Sequence, residues 1–138
     1  MNATDGHGRA LTTTAVAAGW YRLAQRQAHQ PDDPCRALGR AVGADAAFAL
    51  AAVDLRALTG DTSPARVTGP LTGWERHHCE IVEAAVVGQA ARAAALLRQH
   101  LAEVACDPLA LRIVADALAA TAELDDVLTG TPPCHRRC

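Results

Sequence analysis

The chain has 138 residues, half of them apolar, and a formal net charge of −2. Every basic side chain is arginine, and charges of both signs are mixed along the sequence, which excludes the clustered basic face of a nucleic-acid binder. No apolar run approaches the roughly 20 residues of a membrane span, and the N-terminus lacks the charged and apolar regions of a signal peptide, so a cytoplasmic protein is expected.

One domain of this length buries on the order of two-thirds of its unfolded surface. Only Trp20, Tyr21, Phe48 and Trp74 are aromatic, so the core must be assembled from Ala, Leu and Val. Abundant Ala and scarce β-forming aromatics predict an all-α fold of closely packed helices. Arginine without lysine, with much Ala, Gly, Leu and Val, points to a G+C-rich bacterial genome. The odd set Cys35, Cys79, Cys106, Cys134 and Cys138 does not form a small disulfide framework, and reduced thiols are expected.

Residues 1–13 read as a disordered N-terminus, and residues 14–122 as a helical domain. Val16, Trp20, Leu23 and Ala24 fall on one face of a helix over 14–27. After Pro31, Asp33 is placed to cap and Pro34 to open a short helix running to Val42. Gly43 closes it, Asp45 is the next cap, and Phe48, Ala51, Ala52, Leu55 and Leu58 form a stripe ending at Gly60. Residues 61–73 carry loop chemistry and divide a first helical unit, 14–60, from a second, 74–122.

In the second unit Trp74, His78, Ile81, Val82 and Ala85 form a stripe, Gly88 interrupts it, and Ala93, Leu97, Leu101 and Val104 form the next. Together these predict an antiparallel hairpin. Asp107 and Pro108 repeat the cap-then-proline signal before a final helix that fades near Leu124. Residues 123–138 read as a flexible tail.

Cys134, His135 and Cys138 offer thiolate and imidazole ligands in one turn, with His77, His78 or Cys79 to complete a zinc site, but one irregular cluster is a weak match to paired zinc knuckles. His78 and His100 lie at similar distances on either side of Gly88 and should face each other across the hairpin. They are a candidate ligand pair, set against the plainer expectation that both pack at the hairpin edge. Glu80, Glu83 and Glu103 read as solvated helix faces. Phosphate loops, nucleophile elbows and Cys/His/Asn arrangements are missing, so neither catalytic residues nor a cofactor are expected. Trp20 and Trp74 are candidate partner anchors, although their places in apolar stripes favour the core.

Three segments, Leu38 to Ala51, Trp74 to His78 and Gly88 to Leu111, resemble divergent tetratricopeptide repeats, most closely the tetratricopeptide repeat protein 38 family. Gly88, Ala93 and Leu97 match the repeat's turn glycine, small helix-crossing residue and large apolar residue. Trp74, Asp107 and Pro108 mark the hairpin and its junction. An even 34-residue period is lacking, and Ala46 stands where the repeat usually has proline. The resemblance implies five to six helices in right-handed repeat stacking, a truncated member of the family, and a non-enzymatic module for binding a protein partner. Because a solenoid normally needs about three stacked repeats, an uncovered flank and a homo-oligomer are expected. The spacing around His78 and His100 also resembles the effector-binding helical domain of bacterial GntR-type transcription regulators. That alternative implies a ligand- or metal-sensing bundle, but Ala49 stands where the regulators place a further ligand.

Overall fold

The computed structural model describes residues 3–29, 33–61 and 70–121. Among them six helices run in chain order: α1 (Ala15–His29), α2 (Cys35–Ala44), α3 (Ala49–Thr59), α4 (Gly73–Val86), α5 (Ala90–Glu103) and α6 (Pro108–Thr121). The fold is all-helical, as the composition predicts, and no described helix is long and apolar enough to cross a membrane.

Local signals fix the helix ends. Gly60 and Gly88 take left-handed backbones, with φ of 77° and 83°, which an L side chain adopts only at a cost. At α4 the Thr72 hydroxyl accepts from the Glu75 amide while the Glu75 carboxylate accepts from the Thr72 amide, a reciprocal capping box. Asp107 accepts the Ala110 amide at 3.3 Å and so caps α6 immediately before Pro108.

Several caps depart from expectation. The Asp33 carboxylate accepts from the Cys35 amide in an exposed turn, while Pro34 occupies the N-cap of α2. Asp45 ends α2 rather than opening α3, whose N-cap is Phe48.

Each helix packs on its chain neighbour, so hairpins follow in sequence. α6 also packs on α4 and touches α1 and α3, closing the bundle on itself. Tyr21, Leu38, Phe48, Leu50 and Val53 anchor one apolar cluster, and Ile81, Leu97, Val114 and Leu118 a second. Ala17, Ala18, Ala41, Ala51 and Ala93 are buried between backbones, and their small size permits the close approach of helices.

Two predicted stripes are rotated. On α1 the core face is Ala17, Ala18, Tyr21 and Ala24, while Val16 is 65% exposed. The predicted stripe followed the larger side chains, whereas alanines line the tightest crossing. On α3, Leu50, Val53 and Asp54 are buried while Ala52, Leu55 and Leu58 are half-buried, because the helix is covered on more than one side.

The N-terminus, expected to be disordered, is a packed hook over its described part. Thr4 and Ala10 form an antiparallel bridge. Inside it the buried Asp5 carboxylate accepts from the Arg9 amide and guanidinium, the His7 amide and the Gln25 amide group. Burial raises the pKa of Asp5, but Arg9 and Gln25 outweigh that effect and hold it below the ordinary value. Ala3 and Leu11 are buried beneath the hook.

Candidate functional site

Four helices deliver ionisable side chains to one sealed point in the bundle. α3 supplies Asp54, α4 His78, α5 His100, and the start of α6 Asp107; all four are at most 2% exposed. His78 is clamped by both ring nitrogens, with Nδ1 2.6 Å from Asp107 Oδ2 and Nε2 2.7 Å from Asp54 Oδ1. His100 Nε2 lies 2.8 Å from the same Asp107 oxygen. On the far side the Tyr21 hydroxyl donates to Asp54 Oδ2 at 2.8 Å. The chain of contacts therefore runs from Tyr21 through Asp54, His78 and Asp107 to His100.

The charge states follow from this geometry. Burial opposes a charge on His78, yet the carboxylates of Asp107 and Asp54 override it and push its pKa up to about 10. His78 is thus an imidazolium donating through both nitrogens. Burial also works against the Asp107 carboxylate, but His78 and His100 drive its pKa far below the ordinary value. Burial dominates at Asp54 and raises its pKa despite the pull of His78 and Tyr21. Tyr21 is raised well above an ordinary phenol by burial and by the carboxylates it faces.

A second buried acid, Glu75, ties the hook to α4. Its carboxylate accepts from the Thr12 amide at 2.9 Å and the Thr12 hydroxyl at 2.6 Å while serving the capping box. The Trp74 indole donates to the Ala10 carbonyl at 2.9 Å, and Arg9 stacks 4.3 Å from its ring.

The structure brings His78 and His100 together on a shared carboxylate, but buried inside the bundle rather than at the hairpin edge. With both nitrogens engaged, His78 has no lone pair for a ligand. Cys134, His135 and Cys138 lie outside the described residues, and among the described residues no three His, Cys, Asp or Glu side chains are grouped to hold a metal ion. Gly88 makes the α4–α5 turn, Ala93 and Leu97 are buried in the hairpin, and Trp20 and Trp74 are half-buried, Trp20 with Arg40 over its ring. Glu80 and Glu103 are exposed as expected and Glu83 half-buried. Cys35 and Cys79 are free thiols, while Cys106, expected to be reduced, is disulfide-bonded. Tyr21, Asp54 and Glu75 were missed by sequence reasoning. The available signal for Asp54 was a lone acid between Val53 and Leu55 in an apolar helix.

No family model, curated protein or solved structure matches this chain.

Outside the sealed network, one feature facing solvent is an apolar groove on α4 of about 390 Å³. Leu71, Cys79, Ala84 and Val87 line it, and Val87 is 62% exposed. Arg76 and Arg92 stand on it together with Glu80 and Glu83.

Proposed function

We propose that the chain is a non-enzymatic helical interaction module, built of tetratricopeptide-like hairpins, that pairs with a second copy of itself through the α4 groove. The observation that carries this reading is the exposed Val87 in an apolar groove set with two arginines and two glutamates. Such a patch is self-complementary. A two-fold axis through it sets the arginines of one copy against the glutamates of the other, as an isologous interface requires.

The resemblance of the Gly88 to Leu111 segment to a tetratricopeptide hairpin, and the packing of each helix on its chain neighbour, support the repeat-like part of the reading. The sealing of the carboxylate–imidazole network supports the non-enzymatic part, since a substrate has no path to His78 or Asp54. The ligand-sensing alternative, centred on His78 and His100, is weakened by the two carboxylates that occupy His78. Light scattering on the chain and on Val87→Glu tests the proposal. Dimer mass for the first and monomer mass for the second are expected; equal masses overturn it.

A further inference from the structure

The His100 ring has one nitrogen committed and one idle. Nε2 carries its proton towards Asp107, so in the neutral ring Nδ1 is a bare lone pair. That atom is buried and has no hydrogen-bond partner, although His100 itself is only 2% exposed. A buried acceptor left unmet is destabilising and calls for an explanation.

His100 forms part of the wall of a cleft of about 250 Å³ between α4 and α5. The other polar groups lining it are His77, Glu80, Gln99 and Glu103. The two sides are mirrored: His77 and Glu80 lie three residues apart on α4, as do His100 and Glu103 on α5. His77 Nδ1 stands 3.9 Å from Glu103, and its ring meets His100 edge-on with centroids 6.1 Å apart. Both His77 and Glu103 side chains are well exposed. The cleft thus holds two carboxylates, an amide oxygen and an unmet imidazole lone pair, and neither an arginine nor a lysine lines it.

From this set of acceptors we infer that the α4–α5 cleft binds a small organic cation carrying N–H donors, a primary ammonium or a guanidinium. One N–H donates to His100 Nδ1, and Glu80 and Glu103 neutralise the charge through charge-assisted hydrogen bonds. Asp107 fixes the ring orientation from behind, as a carboxylate does for a histidine whose other nitrogen has work to do. A cleft of this size admits a ligand of a few heavy atoms rather than a drug-sized one. Glu80 borders both this cleft and the α4 groove, whereas Glu103 lines the cleft alone, so Glu103→Gln separates cation binding from pairing through the groove.

The test uses the full chain, titrated with agmatine and, in parallel, with butylurea as a neutral counterpart, read by calorimetry and by the long-range proton–nitrogen spectrum of the imidazoles. Agmatine is expected to bind one per chain and to shift the His100 Nδ1 resonance, with butylurea at least tenfold weaker. Glu103→Gln and Glu80→Gln, both at exposed positions, should each weaken agmatine about tenfold or more, as the loss of a charged hydrogen bond predicts. Absence of binding at millimolar agmatine, equal binding of butylurea, or an unmoved Nδ1 resonance overturns the inference. A zinc titration provides the remaining arm: stoichiometric zinc moving the same resonance while agmatine does not would replace an organic cation with a metal.

Discussion

His78 and Asp107, 29 positions apart, meet at 2.6 Å with both side chains wholly shielded from water. A buried ion pair is weak evidence for stability, because replacing the whole pair by well-packed apolar groups is often neutral. Its value here lies in specification. The contact links α4 to the start of α6, Asp54 extends it to α3, Tyr21 to α1 and His100 to α5, so one polar thread fixes the placing of five helices in a core otherwise made of interchangeable small apolar side chains.

Breaking the thread at one point should be severe. His78→Ala leaves Asp54 and Asp107 buried without their shared donor, and a loss of about 3–5 kcal/mol is expected, as for other buried pairs stripped of one member. Urea unfolding followed by circular dichroism measures it. A loss within the ordinary surface range of about 0.5 kcal/mol would show that the network contributes little.

Stability should also depend on pH in a definite sense. His78 has a folded pKa of about 10 against 6.5 when unfolded, so its contribution is fully present below pH 6.5 and is lost as pH rises towards 10. Asp107 acts oppositely: its depressed folded pKa contributes above the ordinary 3.8 and is lost as pH falls below it. Asp54, with a raised folded pKa, subtracts from stability once pH exceeds 3.8. The urea midpoint should therefore decline between pH 7 and 10, and His78→Gln should flatten that decline. The same slope in both proteins would contradict the assignment of charge to His78.

Tyr21 supplies an optical check, being the sole tyrosine in the sequence. Buried against Asp54, it should resist ionisation well beyond pH 10, so the rise in absorbance near 295 nm should coincide with alkaline unfolding. Normal titration with the fold intact would mean the hydroxyl reaches water.

Much of this was legible in the residues and some was not. Helix number and order follow from Ala-rich periodicity, from the Asp107–Pro108 signal and from turn glycines whose backbones prove left-handed. On α1 side-chain size is a poor guide to the buried face, because Ala17 and Ala18 win the tight crossing while Val16 faces solvent. The hook escaped notice since its order comes from Asp5 meeting Gln25 and Thr12 meeting Glu75, contacts 20 and 63 positions apart that leave no local period. His78 and His100 were singled out as a pair, yet the acids joining them come from other helices and only the fold brings them together.

Glu75→Ala should release the hook while leaving the bundle folded. A cost of about 1–3 kcal/mol is expected from unmet donors at Thr12 and Thr72. Hydrogen exchange at the Thr12 amide should accelerate strongly relative to amides within α5; unchanged protection would show that the contacts to Trp74 and Gln25 hold the segment without Glu75.

Cysteine chemistry gives an independent reading of burial. Burial and the neighbouring Asp33 raise Cys35 to about 11, and burial raises the Cys79 thiol further. In native protein at pH 8 half-buried Cys35 should alkylate slowly, Cys79 only on unfolding, and Cys106 only after reduction. Rapid labelling of Cys79 in the folded state would contradict the closed α3–α4 packing.

Self-association through the α4 groove is most directly tested by sedimentation equilibrium over a wide concentration range. The account predicts a species of twice the 14.4 kDa chain mass that reverts to one chain mass in Val87→Glu with its helicity unchanged. A wild-type chain that stays at 14.4 kDa at the highest concentrations would contradict it.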